Sequence, residues 1–273
     1  MGHPRPLDHE PFYRPLPADE DGIERFAPSP STISLWAETM QHGSPPAALL
    51  VRALERCCPR ENTRLTRVSV EILGPVPLTE IRVRSWIERP GRNIELVAGE
   101  LLADPGDGTF RPVASARGWR MAAGDTTAVE SAYDPPMPAG DGTARGFDWG
   151  VSGGYLDAVD WHWVSTPGTA EPGRAWIRTR AALVADEPLS QMQNLFAVVD
   201  VANGVGSKLD FRKWTFLNTD LTVHLHRVPV GDWIGISAET SVGPDGVGMC
   251  AGILYDESGP VGRSAQTVLV RSR

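Results

Sequence analysis

Few side chains in this 273-residue sequence combine reactive chemistry with a constrained setting, and Asp200 is the first of them. It lies in LSQMQNLFAVVDVANGVG, Leu189 to Gly206, where Leu189, Met192, Leu195, Phe196, Val199 and Asn203 recur at helical spacing and predict one helix with a broad buried stripe. Asp200 stands at the edge of that stripe. It also falls in the predicted last turn, because Asn203, Gly204 and Gly206 read as a stop, and a carboxylate there opposes the helix dipole. Helix stability does not select it. It is either a boundary carboxylate bonded to a nearby strand or loop, or a group kept for proton transfer.

Other chemistries find little support. Cys57, Cys58 and Cys250 are odd in number with two adjacent, which is neither a disulfide framework nor a metal spacing and points to a reducing, cytoplasmic setting. His224 and His226 alternate on a predicted strand, but no third ligand lies at a recognisable spacing, so a solvated strand face accounts for them better than a metal site. With 26 Lys and Arg against 34 Asp and Glu, a net charge of −8 invites neither nucleic acid nor an anionic membrane. The opening MGHPRPLDHEPFYRPLP has no apolar core of a signal peptide, and no run approaches a membrane span.

The elements that must position Asp200 follow from periodicity. Residues 1–22 read as an extended or mobile arm, with order expected from Ile23. In QHGSPPAALLVRALER, Ser44 reads as an N-cap and Pro45 as the first helical residue, with Ala47, Leu50, Val51 and Leu54 forming the buried stripe. Strands are predicted at Leu65 to Leu73, Glu80 to Glu88, Ile94 to Ala103 and Phe110 to Met121, separated by the turn sequences GPVP, RPGRN and ADPGDG. Residues 122–150, with DPPMPAGDGTARG, read as a long surface linker. The pattern then restarts over residues 151–273: strands at Trp161 to Val164 and Ala175 to Leu183, the Asp200 helix, then strands at Thr215 to Arg227, Asp232 to Thr240, Val247 to Tyr255 and Val261 to Arg271.

This restart has a register. Val68, Val70 and Ile72 match Leu221, Val223 and Leu225 at an offset of 153 residues, and Ala98, Gly99 and Leu101 match Ala251, Gly252 and Leu254 at the same offset. In the last strand Ser115, Ala116 and Arg117 match Ser264, Ala265 and Gln266 at 149. The expected class is α+β: a tandem duplication, residues 23–121 and 151–273, each half a long helix wrapped by a curved antiparallel sheet. That is a double hotdog whose sheets join edge to edge.

On RAWIRTRAAL, the Asp200 helix, NTDLTVHLHR and the closing VGRSAQTVLV, the chain resembles the type II acyl-CoA thioesterases. The resemblance implies an acyl-CoA substrate, no cofactor or metal, and a water oriented by an Asp, a Thr or Ser, and a Gln. Asp200 and Gln266 match the first and third. A gap-free match puts Asn218 at the middle position, whereas alternation with Leu221, Val223 and Leu225 puts Thr219 on their face. The chemistry is consistent with these types: a carboxylate takes the proton of a poorly nucleophilic water while neutral groups fix its place. Backbone N–H groups at a helix start suit the oxyanion, which makes Gly43 and Ser44 candidate substrate contacts, with His42 beside them. Arg117 stands where the first half would carry the partner of Gln266, so one site per chain is expected. Arg178, Arg180, Lys208, Arg212 and Lys213 are candidates for the CoA phosphates. Open sheet edges favour a homodimer or larger assembly. A binding protein without turnover and a hydratase of the same fold are the alternatives, the latter lacking a visible Asp–His pair.

Overall fold

Strand structure starts well before Ile23. The structure, a computed structural model, describes residues 8–19, 22–139, 152–165, 168 and 171–273, so the first seven residues of the expected arm lie outside the described set. Tyr13–Leu16 is a strand, β1, antiparallel to β2, Glu24–Pro28. Phe12 and Tyr13 are fully buried, which corrects the reading of this segment as an arm. Two aromatics among prolines make no period, yet they bury enough apolar surface to hold the segment down.

The helix α1 spans Ser44–Arg56, with Gly43 rather than Ser44 at the cap and Pro45 and Pro46 inside the first turn. Prolines cost nothing there, because those N–H groups have no partner within a helix. Its stripe is wider than the predicted one: Ala47 through Val51, Ala53 and Leu54 are all buried. Arg52, also enclosed, forks onto Glu187 at 2.7 and 2.8 Å and onto Glu24 at 2.9 and 3.0 Å. The meander then forms close to the predicted bounds as β3 (Thr63–Ile72), β4 (Ile81–Arg89), β5 (Ile94–Ala103) and β6 (Arg111–Ala122). Of the linker, residues 123–139 are described and run mostly exposed, with Met137 packed on Trp176 and Tyr255; its remainder, 140–150, lies outside the described residues.

The second half comprises β7 (Val159–Ser165), β8 (Gly173–Thr179), α2 (Gln191–Val199), α3 (Ala202–Val205), β9 (Trp214–Asn218), β10 (Asp220–Leu225), β11 (Ile234–Val242), β12 (Val247–Asp256) and β13 (Gly259–Ser272). The strand predicted to reach Leu183 ends at Thr179, and the residues after it turn to β1, where Phe12 and Tyr13 donate to the carbonyls of Ala182 and Leu183 at 2.9 and 3.0 Å. All strand pairs are antiparallel within one sheet ordered β1-β2-β4-β5-β6-β3-β10-β13-β12-β11-β8-β7, with β9 also on β13. Helix α1 lies on β3 to β6, α2 and α3 lie on β8 and β11, and α1 packs against α2.

That order reads alike from either end, and the centre shows why. Where β3 meets β10, Ser69 faces Thr222, flanked by Val68 facing Val223 and Val70 facing Leu221. Ser69 and Thr222 are 153 residues apart, so repeat partners face each other, and the Thr222 hydroxyl donates to Ser69 Oγ at 3.0 Å. The same register corrects the last strand. Val97 faces Gly118, and Cys250, the repeat partner of Val97, faces Gln266. Gly118, not Arg117, is therefore the counterpart of Gln266. The similar triplets had aligned one residue out of register, and one residue in a strand changes the face.

Candidate active site

Asp200 stands where the predicted single helix breaks. Ser190 opens α2 with a capping box, its hydroxyl accepting from Gln193 N–H while Gln193 Oε1 accepts from Ser190 N–H. Eight residues beyond the helix start the pattern changes: Val201 N–H bonds Val198 O at 3.3 Å, and Gly204 N–H bonds Val201 O at 2.9 Å. The Asp200 carbonyl, which an unbroken helix would give to Gly204, accepts from Gln266 Nε2 at 3.0 Å instead. Gln266 Nε2 also lies 3.4 Å from Asp200 Oδ1, and its Oε1 is buried with no partner among the described residues.

A second interruption brings in Asn218. The strand predicted over Thr215 to Arg227 is broken at Thr219, where Thr267 N–H turns to the Asp220 carboxylate at 2.7 Å. The break cancels the alternation that put Thr219 on the inner face, a bulge re-aiming a side chain. Asn218 Nδ2 reaches Asp200 Oδ1 at 2.7 Å and Asp220 O at 3.2 Å, and Asn203 Nδ2 lies 3.5 Å from Asn218 Oδ1. Thr219 lines the same cavity but makes no side-chain hydrogen bond to a described residue; its backbone N–H bonds Thr267 O. Asn203, read from sequence only as part of a stripe and a stop, is thus an addition to the site.

The third contributor is the start of α1. A Cβ on Gly43 would collide with Asp200 Oδ2, so the carboxylate sits directly over the glycine, at the end of α1 that favours negative charge. His42 Nδ1 is 3.9 Å from Asp200 Oδ2 and accepts the Ser44 N–H at 3.1 Å, which puts the ring proton on Nε2. Ser44 N–H is therefore occupied, Pro45 and Pro46 have none, and Gly43 N–H has no partner among the described residues. Burial pushes Asp200 up to about 6, against the lowering effect of the Asn218 and Gln266 bonds. Burial also pushes His42 down to about 3, so the imidazole stays neutral.

Asp200, Asn203, Asn218, His42 and Gly43 line a cavity of 240 Å³ whose walls also include Trp36, Val70, Ile72, Val76 and Leu217, while Gln266 holds Asp200 from outside the lining. The basic residues do not gather around it. Arg178 pairs with Asp160 at 2.5 Å, Arg180 with Asp8 at 3.1 Å, and Lys213 lies 4.0 Å from Asp210. His224, near the end of β10, and His226, just past it, are exposed, and no cluster of metal-ligating side chains occurs among the described residues. The duplicated position differs instructively. Glu55, near the end of α1, accepts from Ser190 Oγ at 2.8 Å and Gln193 Nε2 at 2.7 Å at the start of α2, as Asp200 sits at the start of α1. Leu65 and Gly118 occupy the strand places that Asn218 and Gln266 hold, so Glu55 takes its bonds from Ser190 and Gln193 of α2 and not from strand amides. Arg117 instead faces outward and pairs with Glu88 at 2.9 Å.

An antiparallel sheet around a pair of packed helices, with a buried carboxylate held by amides at one end of an apolar cavity, defines a hotdog-fold protein of the thioesterase kind. The chain belongs to the acyl-CoA thioesterase family: residues 32–121 match its N-terminal domain and residues 129–270 its C-terminal domain. Among solved structures, a protein of unknown function with a hot dog fold from Alicyclobacillus acidocaldarius is 14% identical with a TM-score of 0.72, over 92% of this chain and 94% of that one. A protein provisionally assigned as thioesterase II from Thermobifida fusca YX is 19% identical with a TM-score of 0.70, over 94% and 95%. The acyl-CoA thioesterase II TesB2 from Mycobacterium marinum is 14% identical with a TM-score of 0.64, over 94% and 95%. At these identities the likeness is one of fold. No curated protein matches the sequence. Among the described residues no helix is long and apolar enough to cross a membrane.

Proposed function

We propose that the chain hydrolyses an acyl-CoA thioester with a water oriented by Asp200, Asn218 and Gln266. The observation that carries this reading is a carboxylate at one end of an apolar cavity, with Oδ1 held by two amides. Its proton affinity is raised to about 6. At neutral pH the group is ionised yet basic enough to take a proton from water. Oδ1 is committed to the amides, so Oδ2 receives the proton, and Gln266 Oε1 accepts the second hydrogen. The water oxygen bonds to the carbonyl carbon, and Gly43 N–H stabilises the oxyanion. The C–S bond then breaks, and the proton on Asp200 passes to the leaving thiolate, giving free acid and CoA. No step requires a cofactor or metal.

In this reading the fold is a double hotdog, residues 23–121 and 151–273 joined by 122–150, with β1 added to the first half. His42 and Gly43 border the thioester; Ser44 acts through its N–H on His42 rather than on substrate. Thr219 contributes cavity wall, and Asn218 takes the middle position. The protein works in the cytoplasm, without nucleic acid or membrane partners, as a homodimer or larger assembly. The test is thiol release from a panel of acyl-CoAs. Turnover that Asp200→Asn abolishes supports the reading, whereas tight binding of acyl-CoA without turnover makes the protein a carrier.

A further inference from the structure

The break in α2 frees two carbonyls, and the second leads to a residue outside the cavity. Because Val201 N–H turns back to Val198, the carbonyl of Ala197 loses its helical donor. The hydroxyl of Tyr155 takes its place at 2.8 Å. Tyr155 belongs to a short 3₁₀ turn, Gly154–Ala158, that follows the linker, and its own N–H is fixed on Ile33 O at 3.0 Å. The side chain is fully buried. Its ring lies parallel to His42, with centroids 3.9 Å apart and planes 6° apart, and Phe12 stacks on it at 6.1 Å.

One side chain therefore holds both sides of the site. The hydroxyl ties the last turn of α2, three residues before Asp200, and the ring fixes His42, which precedes α1. Tyr155 is not itself a cavity wall, whereas His42, on which its ring stacks, is. No hydrophobic periodicity could have marked it, since it stands between the linker and β7.

We propose that Tyr155 is a positioning residue for thioester hydrolysis, setting the approach of His42 and Gly43 to Asp200 by gripping the broken end of α2 with its hydroxyl and the imidazole with its face. The proposal rests on the functional reading above. Without the hydroxyl, Ala197 O is left buried and unpaired, and the last turn is free to shift; without the ring, His42 loses its stack and water gains a way to Asp200. The titratable groups around Asp200 are His42 from the loop before α1, Cys250 from β12 and Tyr155 itself. Burial holds the phenol and the thiol protonated and the imidazole neutral, so an acid limb of the rate profile reports Asp200.

The experiment compares Tyr155→Phe and Tyr155→Leu with wild type in acyl-CoA hydrolysis from pH 4.5 to 9, with thermal unfolding in parallel. Tyr155→Phe should lower kcat about tenfold with KM within about twofold, and leave the acid limb in place. Tyr155→Leu should lower kcat further and move the acid limb to lower pH, as Asp200 regains water. Trp176→Phe, which removes a partly buried bond to Pro138 O at 2.8 Å between residues that do not line the cavity, should lower the melting temperature without altering kcat. An active wild type whose Tyr155→Phe variant keeps kcat within twofold overturns the proposal alone. Wild-type protein inactive on every acyl-CoA overturns the functional reading and the proposal with it. If Tyr155→Leu does not fold, Tyr155→Phe decides.

Discussion

Asp200→Asn should abolish turnover and stabilise the protein at neutral pH, an opposition that separates a functional carboxylate from a structural one. The substitution keeps the shape and leaves Oδ1 to accept from Asn218 and Gln266, but removes the proton acceptor; kcat should fall by about 100-fold or more with little change in KM. The stability effect follows from linkage. Burial raises Asp200 from 3.8 to about 6, so folding favours its protonated form. That favourable contribution is fully present below pH 3.8 and lost as pH rises through about 6. At 1.36 kcal/mol per unit, the ionised side chain costs roughly 3 kcal/mol at pH 7.5 relative to pH 3.8. The Asn Nδ2 that replaces Oδ2 has no obvious acceptor, which offsets about 1–2 kcal/mol of that relief, leaving a net gain of about 1–2 kcal/mol. For a chain of this size the gain is a rise of several degrees in Tm. Neutral His42 works in the opposite sense but is present in both proteins and cancels in the difference. The assay is paired: thiol release at pH 7.5, and Tm of both proteins at pH 4 and 7.5. A variant that keeps more than half the wild-type rate, or melts lower than wild type at pH 7.5 as at pH 4, would refute the reasoning and leave Asp200 a structural residue.

The remaining expectations use the same geometry. In wild type, kcat/KM should climb with pH through about 6 as Asp200 ionises, with no second acid limb until near pH 3, where His42 titrates; a limb centred near 4 would mean that the carboxylate is not desolvated. Gly43→Ala should cut kcat at least about tenfold, because the added methyl displaces Oδ2, and a fully active, folded variant would contradict the placement of Asp200 over the helix start. Asn218→Ala should cost about tenfold or more in kcat while Thr219→Ala costs less than about threefold; the reverse order would restore Thr219 to the middle position. Gln266→Ala combined with Asp200→Asn should be little worse than Asp200→Asn alone, since both serve one water, and multiplicative losses would separate their roles.

The offset of 153 residues was legible in the residue order because strands packed on the same kind of core need the same alternation, and it is also the separation of the facing pair Ser69 and Thr222. Helix α1 and the four-strand meander were legible for a like reason, since their periods and turn residues are local. What the sequence left undecided lies wherever a distant atom replaces a local bond. The stripe around Asp200 runs on to Asn203, and only the donors Gln266 and Tyr155, on other elements, make a break there tolerable. Alternation favoured Thr219 because nothing local announces that the Asp220 carboxylate will take the Thr267 N–H and turn Asn218 inward. Arg117 seemed the partner of Gln266 because small residues match at either register; cross-strand pairing, a tertiary fact, gives that place to Gly118. Phe12 and Tyr13 carry no period at all, and their burial depends on Tyr155 and on residues 182–185, which the fold brings to them from the other half of the chain.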